Sequence, residues 1–178
     1  MNDGLDGLSE PAWTVWAKHQ RSTDLSLPLW RHLDDSTAVA EWLWDEWLPA
    51  LVKEAIARCL PGGEDDARIL FVWLAGIHDV GKATPAFAVQ VPSLADRMHD
   101  HGLLIDHDLR RHPDRRLVPH ATAGQILVED WLKEVHGWRH QEPRRQIAVV
   151  VGGHHGVPPE EGDLVTARAH KSLLGHSS

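Results

Sequence analysis

In FVWLAGIHDVGKATP, residues 71–85, the chain is apolar from Phe71 to Ile77 and then sets His78 beside Asp79. A carboxylate at the inner end of a buried-looking segment needs a proton, a cationic partner or a metal. The dipeptide by itself says little, because it recurs at His99–Asp100 and His107–Asp108. Location separates the three. His99, His101, His107 and His112 lie in a stretch rich in charge and helix breakers, where solvated side chains are expected. His32, His78, Asp79, His120, His154 and His155 each sit on, or at the end of, the apolar stripe of a helical segment. Folding those stripes into one core would gather five histidines and one aspartate from four helices. Such a set is hard to satisfy by mutual hydrogen bonds and easily satisfied by divalent cations. Neutral imidazoles around one bridging carboxylate suit Mn, Fe, Co, Ni or Zn, and not Ca, which takes oxygen ligands.

The elements that must position these residues read almost entirely as helices. Across 29–48, His32, Ser36, Val39, Leu43 and Trp47 follow alternating four- and three-residue steps, with Ser26 and Pro28 as a start and Pro49 as a stop or kink. A second helix over about 50–60 ends at PGG. A third runs from about Ala67, behind the capping residues Asp65 and Asp66, to Asp79, with Gly81 as its terminator. Apolar on nearly all sides, it is expected at the centre of the fold. TPAFAVQ reads as a short helix, and DRMHDHGLLIDHDLRRHPDRRLVP as a surface excursion. Pro119 opens a helix on which His120, Ala123, Leu127 and Trp131 share a face. Pro143 opens the next, where Val150 and Val151 precede His154 and His155 by one turn, and a last helix is expected over about 160–173. No strand alternation is visible, so the expected fold class is all-α, a helical bundle with metal ligands converging from four helices.

Composition excludes several classes. Hydrophobic residues at 42% and charged residues at 25% rule out wholesale disorder, and 178 residues suffice for one domain with a core. The acidic start MNDGLDGLSEPAW has no signal-peptide core, and no run approaches a membrane span, so a cytoplasmic location is expected. Cys59 is the single cysteine, which excludes an intrachain disulfide and a thiolate cluster. Nine tryptophans stand against no tyrosine; Trp42, Trp44 and Trp47 have the spacing of helix packing rather than of a base-stacking platform. A net charge of −8 speaks against a nucleic-acid binder acting alone. There is no Gly-rich Lys-Ser/Thr phosphate loop, hence no ATPase in this chain.

HLDD, HDVGK, VPHATAG and GGHHG, in that order on helices, resemble the HD superfamily of metal-dependent phosphohydrolases. WAKHQ, LPLWRHLDDSTAVAEWLWDEWLP, HDVGKATPAF and GGHHGVPP narrow the resemblance, over roughly residues 13–160, to the HD nuclease domain of type I CRISPR-associated helicase–nucleases, in the form found in subtype I-E. The resemblance implies up to two divalent transition-metal ions. His32, His78 and Asp79 would hold one; Asp79 would bridge to a second, held also by His120, His154 and His155. The ions would activate a bridging water and clamp the scissile phosphate. Lys82 matches the lysine that follows the His-Asp pair and would stabilise phosphate charge; its alternative is a surface ion pair just past a helix end.

The implied substrate is single-stranded DNA, nicked and then degraded. The implied partners are the CRISPR surveillance complex and a helicase in cis or in trans, and no membrane. Arg110, Arg111, Arg115 and Arg116 in LRRHPDRR could contact the strand or belong to a solvated loop. Residues 1–12 are expected as a flexible segment and 13–178 as the nuclease domain. That domain would stop before the family's last aspartate ligand, with Asp163 too early for a confident match. Two other functions remain open on the sequence: a phosphohydrolase acting on nucleotides, and a non-catalytic, metal-stabilised docking module.

Overall fold

The computed structural model describes residues 7–175. A short helix, α1 (Glu10–Thr14), leads into two antiparallel strands, β1 (Trp16–Gln20) and β2 (Leu25–Pro28). The hairpin departs from the expectation of no strands, and the reason is local. Its register is irregular between Trp16 and Lys18, so Trp16 and Ala17 are buried in succession and no alternation remains to be read. Of the segment 1–12, residues 1–6 lie outside the described residues, while Glu10, Pro11 and Ala12 belong to α1.

The rest is helical: α2 (Leu29–Trp42), α3 (Ala50–Ala57), α4 (Glu64–Ile77), α5 (Pro85–Ala88), α6 (Pro92–Asp100), α7 (His120–Glu134), α8 (Gln141–Gly152), α9 (Glu161–Ala169) and α10 (Lys171–Leu174). The chain runs on from α2 through a single π-type turn, Leu43–Trp47, closed by Leu48 N donating to Leu43 O at 2.8 Å. The stripe expected on this helix is corrected here. Trp44 is buried against Phe71, whereas Val39, Trp42 and Trp47 are exposed. Apolar residues on α2 outnumber the positions that α4 and the hairpin cover, and the extra residue of the π-type turn rotates the side chains beyond it.

Helix α4 begins at Glu64, behind Gly63 at φ 64°, so Asp65 and Asp66 lie in its first turn, where the helix dipole favours carboxylates. It is half-buried from Leu70 to His78 rather than enclosed, because its outer side borders an apolar groove formed with Leu51, Ile56 and Leu60 of the α3 region. The expected surface excursion also needs correction. Leu94 and Met98 on α6, and Ile105 and Leu109 beyond it, enter the main core with Val15, Trp16 and Ile126. Their apolar spacing was hidden among the charges that face outward. A second core of Val128, Leu132, Ala148 and Val151 joins α7 to α8, with Trp73 and Ile77 of α4 against it.

Two features fix the parts around Asp79. After α4 the backbone tightens into a 3-10 turn, Val80–Ala83, with Asp79 at φ −103°, ψ 13°. Gly81 is not the left-handed helix terminator expected from the sequence. It is a contact glycine, because a Cβ there would collide with the carbonyl of His120 and the amide of Gly124. The turn can therefore lie directly on the first turn of α7. Further along, Arg168 of α9 bonds both carboxylate oxygens of Asp130 at 2.9 Å and Glu129 at 3.1 Å, which ties α9 to α7.

Candidate metal centre

Asp79 is buried at 4% exposure and stands at the hub. Its Oδ2 lies 2.8 Å from His32 Nε2, 2.6 Å from Lys82 Nζ and 3.3 Å from His78 Nε2. Its Oδ1 lies 3.2 Å from His120 Nε2 and 3.4 Å from His154 Nε2. His155 Nε2 is 3.0 Å from His120 Nε2. The six residues marked in the sequence as ligands therefore meet, from four helices. Only His32 lies well inside one. His78 follows the last residue of α4, His120 is the first of α7, and His154 and His155 lie in the turn after α8. The expectation that the His-His pair continues a helical face is thus corrected: α8 stops at Gly152, and Gly156 closes the turn at φ 98°.

Two rings are locked by backbone. Nδ1–H of His78 donates to Ala75 O, and Nδ1–H of His154 to Val151 O, both at 2.7 Å. A carbonyl only accepts, so each Nδ1 carries the proton and each Nε2 is directed at the carboxylate. Sequence reading missed these carbonyls, although the signal was available: each lies three residues before a histidine at a helix end.

The protons these side chains carry leave room for a cation. Burial lowers the pKa of His154 despite its bond to Val151, so its Nε2 faces Asp79 Oδ1 as one lone pair against another. Both atoms are buried and without a hydrogen-bond partner. Such a pair is costly unless a cation lies between. Burial likewise lowers His32, against its bond to Asp79, whereas the Asp79 bond raises His78. For Asp79, burial is outweighed by the pull of His120, His78 and Lys82 beside it, and the carboxyl is held below the usual range. The carboxylate is therefore ionised amid imidazoles able to donate lone pairs.

Two adjoining groups result, His32–His78–Asp79 and His120–His154–His155, each with ligand atoms within 4.8 Å of one another and joined through Asp79 Oδ1. The C-termini of α4 and α8 both end at the centre and favour positive charge there. Lys82 is placed differently from the surface ion pair considered above. It is nearly buried, one 3-10 turn after Asp79, where side chains three apart eclipse. Asp163 does not join either group. Its Oδ2 accepts from Glu160 N at 3.0 Å and caps α9. His99 and His101 are exposed, His101 with Nδ1 2.8 Å from Arg97 O, and the His107 side chain lies outside the described residues. Arg110, Arg111 and Arg116 are exposed, and Arg116 lines a cleft of about 430 Å³ with Pro119, Gly152 and Val157, neighbours of the centre.

Helices that gather imidazoles around a His-Asp carboxylate define a candidate two-cation centre of the histidine–aspartate class. The chain belongs to the family described as Cas3, HD domain, whose model matches residues 16–177. It is 30% identical over 162 residues to a CRISPR-associated nuclease/helicase Cas3 of Streptococcus thermophilus, a match covering 83% of this chain and 16% of that protein. A CRISPR-associated endonuclease/helicase Cas3 of Thermus thermophilus is 27% identical over 163 residues, covering 92% of this chain and 16% of its own length. A crystal structure of a CRISPR-associated protein superposes with a TM-score of 0.76 at 32% identity, over 92% of this chain and 17% of that one. The chain thus spans about a sixth of the curated relatives it matches. No helix among the described residues is long and apolar enough to cross a membrane.

Proposed function

We propose that this chain is a nuclease that hydrolyses phosphodiester bonds of single-stranded DNA with two divalent transition-metal ions, in type I CRISPR interference. The observation that carries this reading is the buried carboxylate of Asp79, faced by four imidazoles with one lone-pair contact left without a proton. His32, His78 and Asp79 hold one ion; Asp79, His120, His154 and His155 hold the other. Such ions, when bound, supply Lewis acidity toward water and phosphate. The chain's own residues do the rest. Ala75 and Val151 fix the rings of His78 and His154, so the ligands need little reorganisation. Lys82 donates to Asp79 and is the catalytic candidate for balancing charge that develops on phosphate oxygens. Asp79 links the two groups and is the other catalytic candidate.

Support for a single strand comes from the cleft that Arg116 lines beside Pro119 and Gly152. The Arg116 guanidinium there would hold one phosphate of a strand, although Asp163 lines the same cleft. The net charge of −8 supports a strand delivered by other parts, namely a helicase in cis or in trans and the surveillance complex. The test is cleavage of end-labelled single-stranded DNA, intact linear duplex and mononucleotides by metal-stripped protein supplied with Mn, Fe, Ni, Co, Zn or Mg. Cleavage of the single strand that disappears in Asp79→Ala is expected. Turnover of mononucleotides with an intact single strand overturns the reading.

A further inference from the structure

A third set of metal-competent side chains lies apart from the centre and shares no residue with it. His112 and Asp114 stand at the short turns that precede α7, and His170 occupies the junction of α9 and α10. One donor atom of each falls within 4.8 Å of the other two. The two rings meet edge to face with centroids 5.7 Å apart, and all three residues are half-buried. His112 is therefore not the solvated residue its surroundings in the sequence suggested.

We propose that His112, Asp114 and His170 form a separate site for a divalent first-row transition ion. Two imidazoles and a carboxylate are a donor set that such ions take, Zn(II) among them. Three donors at about 2.1 Å from one ion stand roughly 3.4 Å from each other. The donors, already within 4.8 Å of one another, would have to draw in to that spacing when an ion binds. His112 Nδ1 accepts from the Asp114 amide at 3.2 Å. Coordination ends that long bond whichever nitrogen is used, since a neutral ring has one lone pair to give. The site is accordingly weaker than the four-donor group at Asp79. It clasps the approach to α7, and with it the entry to His120, onto the α9–α10 junction. Nothing in it depends on the nuclease reading.

The experiment uses the whole chain stripped of metal and titrated with Zn(II). Wild type is expected to hold one more ion per chain than His170→Ala or Asp114→Asn, counted by native mass spectrometry, and both variants keep the ions of the Asp79 centre. Equal counts in wild type and variants overturn the proposal. Should the variants fail to fold, wild-type crystals soaked in Zn(II) decide it. An anomalous peak within coordination distance of all three side chains is expected, and its absence at saturating Zn(II) overturns the site.

Discussion

At Asp79 one carboxylate serves four imidazoles and an ammonium, so a substitution there has two separable consequences. Asp79→Ala is expected to abolish cleavage, because it removes the carboxylate that links both ligand groups. It also strands Lys82 in a nearly buried position, and breaking such a pair costs about 3–5 kcal/mol. The thermal midpoint of metal-free Asp79→Ala should therefore fall, and Lys82→Met in the same chain should restore most of it without restoring cleavage. His99→Ala should cleave at the wild-type rate; equal loss at both positions would place the site elsewhere. A pH dependence arises from the same rings. Burial holds His32 and His154 below the ordinary imidazole range, so they are ligand-ready at neutral pH. The bond to Asp79 holds His78 above that range, and its proton must leave before Nε2 can coordinate. Metal loading should thus release protons, with affinity falling as the pH drops through the His78 titration. Calorimetric titrations in buffers of different ionisation enthalpy would measure it; binding that is independent of both buffer and pH would contradict the proton inventory.

Elements meet here at distances that only particular residues allow. The turn Val80–Ala83 rests on α7 through Gly81, whose added Cβ would strike backbone at His120 and Gly124. Backbone cannot yield as a side chain can, so Gly81→Ala must push the turn off α7, separating Asp79 from His120. We expect a stability loss of at least about 1–3 kcal/mol in urea denaturation and a large loss of cleavage. Gly124→Ala is the informative contrast. Its Cβ would meet a methyl of Val151 at 3.2 Å, a side chain that need give only tenths of an ångström, and the Gly81 amide at 3.4 Å, an ordinary contact. Alanine also favours a helix interior by about 1 kcal/mol over glycine. Near-wild-type stability is expected for Gly124→Ala, whereas wild-type stability and cleavage in Gly81→Ala would mean that the contact at Gly81 is not what seats the turn.

Across the molecule the two proposed cation groups are unequal. In the proposed assignment His120, His154 and His155 with Asp79 make four donors, whereas His32 and His78 with Asp79 make three. Fewer protein ligands give lower affinity, so titration of the stripped protein with Mn(II) should show one tight step and one weak step at this centre. The tight step should carry most of the rise in melting temperature, because those ligands tie α7 to the end of α8 across the second core. Two steps of equal affinity would show that a residue outside these six completes the weaker group.

Much of this was legible in the sequence because ligand chemistry is written in residue types. Histidines at the ends of apolar stripes, with one aspartate among them, named the set that meets, and proline and glycine marked most helix starts and stops. The sequence also set the donor types, and so the kind of ion that fits. It could not show that Trp42 and Trp47 stay exposed while Trp44 is buried, since periodicity reports one face and not which neighbours cover it. Nor could it show the bulged hairpin, the core residues hidden among the charges of 94–109, or the burial of Lys82 against Asp79. Those depend on contacts between segments far apart in the chain, such as Gly81 on His120 and His112 beside His170. Local patterning fixes what a residue can do, and tertiary packing decides which partner it does it with, because burial and distance are properties of pairs.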